Sequence, residues 1–549
     1  MLKLVLGASG SGKTTLLYAR IRARAEAGKR SILLVPEQFT SSTEARIYRE
    51  LGDALSGMVE SYSFTSLAEH ILAALGGAAV QTLTDAGRAV LVRRALEELQ
   101  DNVHYYYRHR RSAAFCQMAA ETIDELKSAG LSGQQLQELA RDCGSESAKL
   151  GELALIFQGY ESLLAGTGMD PADRLELAAD RLEAALARNE LPDFLREREV
   201  FIDEFDTFNA PKKRLMGAML AALPAVTVAL CEDGAPMQPG DLELFSGAKQ
   251  VAAQLRQLAR KNGAQVAAPE LLRRDLRHKD APGLAALTEL LETGSCTPPE
   301  SAPELRLFAA ASREEEARCA AAAIRRLMRQ GVRCGKIAVV CRDISLYRAA
   351  VRYEFRMAEI PLYCDEPTTP EFSAPATAVR ALLALLRGAD MTEQLTVLAK
   401  TGLCALTEPE VCALENYAYT WSPNAAAWRA EFTKSPRGFG DAELTEEDTL
   451  NMTRAENARK KLVTAVDTLR SKVRSANAEQ ISRALYFCLK ELGAEEQQAA
   501  QVEDIRTARG IPAAEEAARE WNVVMQLLDE MARLLGSQGI TVPEYEDLF

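Results

Sequence analysis

Met1-Leu-Lys-Leu-Val-Leu-Gly7-Ala8-Ser9-Gly10-Ser11-Gly12-Lys13-Thr14-Thr15-Leu-Leu17 opens the chain, and its reading decides the fold. Leu2 to Leu6 is an apolar run of strand length, and Thr14 to Ala25 carries helical spacing. Between them Gly7 to Thr14 fits G-x-x-x-x-G-K-[ST] in full. Glycines let backbone N–H groups approach phosphate oxygens, and the N-terminus of the following helix adds positive potential. In such a loop Gly7, Ala8, Ser9, Gly10, Ser11, Gly12, Lys13, Thr14 and Thr15 cradle a nucleoside triphosphate. Lys13 reaches the β- and γ-phosphates, and the Thr14 hydroxyl ligates the metal. The expected cofactors are therefore ATP and Mg²⁺.

A triphosphatase also needs a carboxylate on a neighbouring strand to hold the metal through water, and often a second to orient the attacking water. Val200-Phe-Ile-Asp203-Glu204-Phe-Asp206 is an apolar run ending in acids where a strand meets its loop. Asp203 is assigned to Mg²⁺ and Glu204 to the general base, with Lys13 as its catalytic partner on the phosphate.

Nearly 200 residues separate the two motifs, so a large segment is inserted. Ser31 to Val35 and Val59 to Ser63 read as further strands, alternating with helices as in a parallel sheet. From Thr84 to Leu191 the apolar residues recur at three-and-four spacing, which predicts helices. Val226 to Cys231 resumes the strands. After a Pro- and Gly-containing linker near Asp275 to Pro303, strands at Leu305–Ala310 and Lys336–Cys341 flank a helix over Glu314–Gln330. From Pro375 to Phe549 the pattern is helical again. Leu271 to Lys279 reads as a charged helix.

Length and composition bound the rest. The 549 residues suggest about three or four domains. No apolar stretch reaches the 18 or so residues of a membrane span, and no signal peptide precedes the first strand, so a cytoplasmic protein with no membrane contact is expected. The eleven cysteines form no CxxC, which predicts structural thiols rather than a zinc site. A net charge of -13 argues against indiscriminate coating of nucleic acid but leaves room for a local basic channel. His104-Tyr-Tyr-Tyr-Arg-His-Arg-Arg111 interleaves aromatics with cations, as a platform for single-stranded DNA would. Tyr106, Arg108, Arg110 and Arg111 are its candidate contacts.

GASGSGKT, LLVPEQFT, VESYSFTSLAEHIL, MDPADRLELA, VFIDEFDTF, ASREEEARCAAAAIRRL and IAVVCRD occur in that order. Together they resemble the N-terminal half of the AddB family, one of the two partners in bacterial AddAB helicase–nucleases, related to superfamily 1 helicases of the UvrD type. The resemblance implies an α/β fold: a P-loop NTPase (RecA-like) motor domain with large helical insertions and a second, incomplete RecA-like domain. Motor domain 1A would comprise residues 1–83 and 195–290, helical insertion 1B residues 84–194, the start of 2A residues 300–374, and a partial 2B residues 375–549. It further implies work on the ends of DNA double-strand breaks for recombinational repair, with an AddA-like helicase–nuclease subunit as partner. Gln38, Tyr62, Ser63 and Phe64 would face DNA. The family's nuclease and its iron–sulfur cluster are not expected in this chain. The arginine that reaches the γ-phosphate would lie beyond Phe549, so the chain alone should bind ATP and turn it over weakly. Two other readings stay open: a non-catalytic helicase-fold scaffold for DNA reading and partner docking with structural ATP, and a small-molecule P-loop kinase.

Overall fold

The computed structural model describes every residue except 78–81, 236–243, 365–371, 440–442, 475 and 537–538. The chain divides into two units, residues 1–274 with 370–549, and residues 275–369.

The first unit is α/β. Its sheet has six strands: β1 (Leu2–Gly7), β2 (Ser31–Leu34), β3 (Val59–Tyr62), β4 (Glu199–Ile202), β5 (Ala225–Cys231) and β6 (Glu270–Leu272). They lie in the order β3-β2-β4-β5-β1-β6, and every pairing is parallel. Parallel strands are covered on both faces, which is why β2 and β4 are buried throughout and read as continuous runs. Side chains alternate between the faces. Leu4, Leu6, Val200 and Ile202 pack with Phe64, Leu215 and Leu255. Val5, Leu33 and Phe201 pack with Leu17 and Ile21 of the helix Lys13–Glu26. Glu199, buried within β4, is held by Lys3 at 2.7 Å, Arg24 at 3.1 Å and the Thr227 hydroxyl at 3.0 Å, which satisfies a charge that would otherwise be costly there.

Between the helix Phe64–Leu75 and β4 the chain is almost wholly helical. Val90, Leu96, Phe157 and Tyr160 of this insertion share one core with Leu382, Leu462, Leu485 and Leu534 of the C-terminal helices. Glu530, 1% exposed on the helix Ile511–Leu535, accepts the Thr84 N–H at 3.2 Å and the Thr84 hydroxyl, capping the helix Asp85–Glu98 from the far end of the chain.

In the second unit the expected helix is present as Arg313–Arg329 and packs on Ile344–Met357 through Ala317, Ala321, Val351 and Phe355. The expected strands at 305–310 and 336–341 are not formed: among the described residues neither run pairs with any strand. The apolar pattern is there, but a strand requires a neighbouring backbone to complete its ladder. Leu307 is left 99% exposed and Val340 90% exposed. Among the described residues no helix is long and apolar enough to cross a membrane.

Candidate functional site

The loop after β1 has the geometry its glycines allow. Gly10 and Gly12 adopt φ of 81° and 91°, values that side chains disfavour. Gly7 is cramped: a Cβ there would lie 2.4 Å from Ser11 Oγ and 2.7 Å from the Leu272 carbonyl. Lys13 Nζ donates to the carbonyls of Gly7 at 2.7 Å and Ala8 at 2.9 Å, so the lysine folds over the loop. Ser11 is 5% exposed, and its hydroxyl has no hydrogen-bond partner among the described residues. A buried, unpartnered hydroxyl beside N–H groups at a helix start suits an anion. Ser9 lies in the turn of the loop, and Thr15 follows Thr14 in the first turn of the helix.

Asp203 follows β4, 5% exposed, its N–H bonded to the Leu34 carbonyl at 3.0 Å. Its carboxylate accepts the Glu204 N–H at 3.0 Å and the Thr14 hydroxyl. The structure thus brings the sequence-predicted metal residues Thr14 and Asp203 together, although their strands are not neighbours as expected and β5 lies between them. Burial pushes the Asp203 carboxyl above the usual range; the Thr14 bond, the Glu204 N–H, Arg46 and Lys13 oppose the shift. Glu204 sits at φ 65°, an uncommon conformation for a non-glycine residue that turns the chain away after Asp203. Its carboxyl is also raised, by partial burial and then by the Asp203 charge, against the pull of Arg46.

Two features escaped the sequence reading. Arg46, on the helix Thr40–Leu51, stands 4.8 Å over the Tyr18 ring and within electrostatic range of both acids. Nothing in the local sequence marks it, because the contact is made only when that helix crosses the start of Lys13–Glu26. The second is β6. Leu271 to Lys279, expected as a charged helix, instead begins in a strand that sets Leu272 opposite Gly7. Arg273 and Arg274 therefore follow directly beside the loop, exposed and without a hydrogen bond or ion pair to any described residue.

The residues expected to face DNA scatter. Gln38 is exposed in the turn Glu37–Phe39. Tyr62 donates its hydroxyl to Glu60 at 2.8 Å and rests on His70, and burial pushes its phenol up to about 12. Ser63 caps the helix Phe64–Leu75, accepting the Ser66 N–H at 3.1 Å. Phe64 is 2% exposed against Phe205 and Phe208, so its ring is core and has no face to offer a base.

In the tyrosine–arginine run, Glu152 accepts the N–H groups of His104, Tyr105 and Tyr106 at 2.7 to 3.1 Å, pinning the segment. Tyr106 packs on Phe115, Arg110 stacks 3.7 Å over Tyr107, and Arg111 lies 3.6 Å from Glu544. Arg108 is exposed in the turn Tyr107–His109. The acids of MDPADRLELA are structural: Lys127 binds Asp170 at 2.7 Å and Asp173 at 2.8 Å.

Comparison with known proteins gives this geometry a lineage. AddB proteins of Moorella thermoacetica and Desulforudis audaxviator, each named as one component of an ATP-dependent helicase/deoxyribonuclease, are 30% identical over 99% of this chain and 48% of their own length. The protein of that name from Clostridium acetobutylicum is 24% identical with the same coverage. The chain thus spans about half the length of the curated relatives it matches. The family model described as ADDB, N-terminal, matches residues 4–288. That region takes in the glycine loop, the Asp203–Glu204 pair, Arg46 and Arg273–Arg274, and by it the chain belongs to the AddB family.

Proposed function

We propose that this chain is the ATP-binding, helicase-like portion of a helicase–nuclease subunit that processes DNA double-strand breaks for recombinational repair, working on DNA alongside an AddA-like partner. The observation that carries the reading is the Thr14–Asp203 contact at the mouth of the glycine loop. It joins the residues a P-loop motor of the RecA type uses for its metal, from strands that are not adjacent. The unpartnered Ser11 hydroxyl and the absence of room for a Cβ at Gly7 also fit a bound triphosphate.

Once bound, Mg²⁺–ATP supplies charge neutralisation on the phosphates and a cleavable anhydride. Lys13 exchanges the Gly7 and Ala8 carbonyls for phosphate oxygens. Thr14 and Asp203 hold the metal. Glu204, its carboxyl raised, orients the attacking water and takes its proton. Arg273 and Arg274 supply cationic charge from the neighbouring strand.

The test is calorimetric binding of Mg²⁺–ATP together with turnover, with and without single-stranded DNA, for the wild type and for Lys13→Ala. Removing the charged donor should weaken binding by about 10- to 100-fold. Slow wild-type turnover that falls further in Arg273→Ala/Arg274→Ala is the expected pattern. Equal ATP affinity in the wild type and Lys13→Ala would overturn the assignment.

A further inference from the structure

The C-terminal helices carry a second cluster of chemistry, remote in sequence from the glycine loop. The helix Ala478–Leu492 packs beside Ile511–Leu535 and Glu446–Val473 through Leu485, Cys488 and Leu489. Its outer face does not end in the usual polar residues: Tyr486 is 41% and Phe487 48% exposed, their rings 5.7 Å apart at 65°. Two cavities of about 590 Å³ each open here, and Arg483 and Phe487 line both, so the two adjoin across these side chains and are taken together as one groove.

Cations border the aromatics. Lys472 Nζ lies 5.9 Å over the Phe487 ring, and Arg474 lines the same cavity, exposed and without an ion pair among the described residues. Arg483 reaches back to Glu479 at 2.9 Å, and Arg533 donates to the Thr167 carbonyl from the opposite wall. Asp529 is the other acid of the groove. Four cationic side chains against two acids make a local positive strip on a protein of net charge -13.

We propose that this groove binds single-stranded nucleic acid, with bases stacking on Tyr486 and Phe487 and the backbone tracking Arg474, Lys472 and Arg483. Exposed π-faces are matched by every base, and flanking cations are matched by phosphates. An acidic protein segment would satisfy the cations but leave the rings without a purpose. The groove stands on its own side chains and does not require ATP to be bound.

The test measures fluorescence anisotropy of a labelled oligothymidylate with the full chain across a salt series. Tyr486→Leu/Phe487→Leu keeps apolar bulk and removes the rings, and should weaken binding by about fivefold or more per stacked base. Arg474→Gln/Arg483→Gln should reduce the salt slope by about 1.4, the value for two phosphate contacts on a single strand. Thermal melts confirm that both variants fold. The titration is run without nucleotide, which separates failure of the groove from failure of the nucleotide site. No wild-type binding, or unchanged affinity in folded Tyr486→Leu/Phe487→Leu, would overturn the proposal. So would equal competition by polyglutamate against both the wild type and the leucine variant, since cations alone would then be the binding feature.

Discussion

Asp203 illustrates how one side chain serves two demands. Burial raises its carboxyl above the usual range, so at neutral pH the ionised form is disfavoured in the fold. A raised carboxyl contributes its stability below the unfolded value near 3.8, and that contribution is lost as pH rises through the folded value. Asp203→Asn removes the charge while keeping an oxygen for the Glu204 N–H. It should therefore raise the melting temperature of the nucleotide-free chain at pH 7 to 8, with the gain shrinking toward pH 4, while weakening Mg²⁺–ATP binding. A melt and a titration on the same variant check both directions. At this scale the glycine loop was legible because its turn demands glycines at fixed spacing, as Gly10 and Gly12 show with φ of 81° and 91°. Arg46 was not, since its role depends on where a helix crosses, and Phe64 misled because a ring in an ordered motif reads the same whether it faces solvent or core.

Among the elements, strands buried on both faces announced themselves as apolar runs. β6 did not, because its three residues, Glu270-Leu-Leu, are bounded by charge, and among the described residues β1 alone pairs with them. The converse failure occurred at 305–310 and 336–341, where the pattern is right and the partner strand is missing from the described residues. The cap on Asp85–Glu98 was invisible for a related reason: Thr84 and Glu530 are 446 positions apart. Glu530→Ala leaves the Thr84 N–H without its acceptor in a buried place, a loss of about 1 to 3 kcal/mol. Denaturant unfolding should register it, and Glu530→Gln should recover part of the difference. Equal stability in Glu530→Ala and the wild type would mean that water replaces the carboxylate.

For the whole molecule, unit 275–369 carries exposed apolar side chains on its two extended runs. Leu307, Phe308 and Val340 are exposed beside backbone that pairs with nothing among the described residues. Exposed apolar side chains of this kind favour association. The chain should self-associate as its concentration rises, and Leu307→Glu/Val340→Glu should suppress this in light scattering without lowering the melting temperature. A concentration-independent scattering mass for the wild type would refute it.

The core shared by the helical insertion and the C-terminal helices sets where this protein can be divided. The helix Asp85–Glu98, with Val90 and Leu96 in that core, packs on the helix Ile511–Leu535, more than 400 positions later. A fragment ending at residue 274 would thus keep its sheet and its glycine loop but expose the flank of Asp85–Glu98, while one starting at 370 would expose the matching surface. Neither half is a module. Co-expressed as separate chains, however, the two fragments have every contact needed to find each other, and fragment complementation becomes a natural assay for this fold.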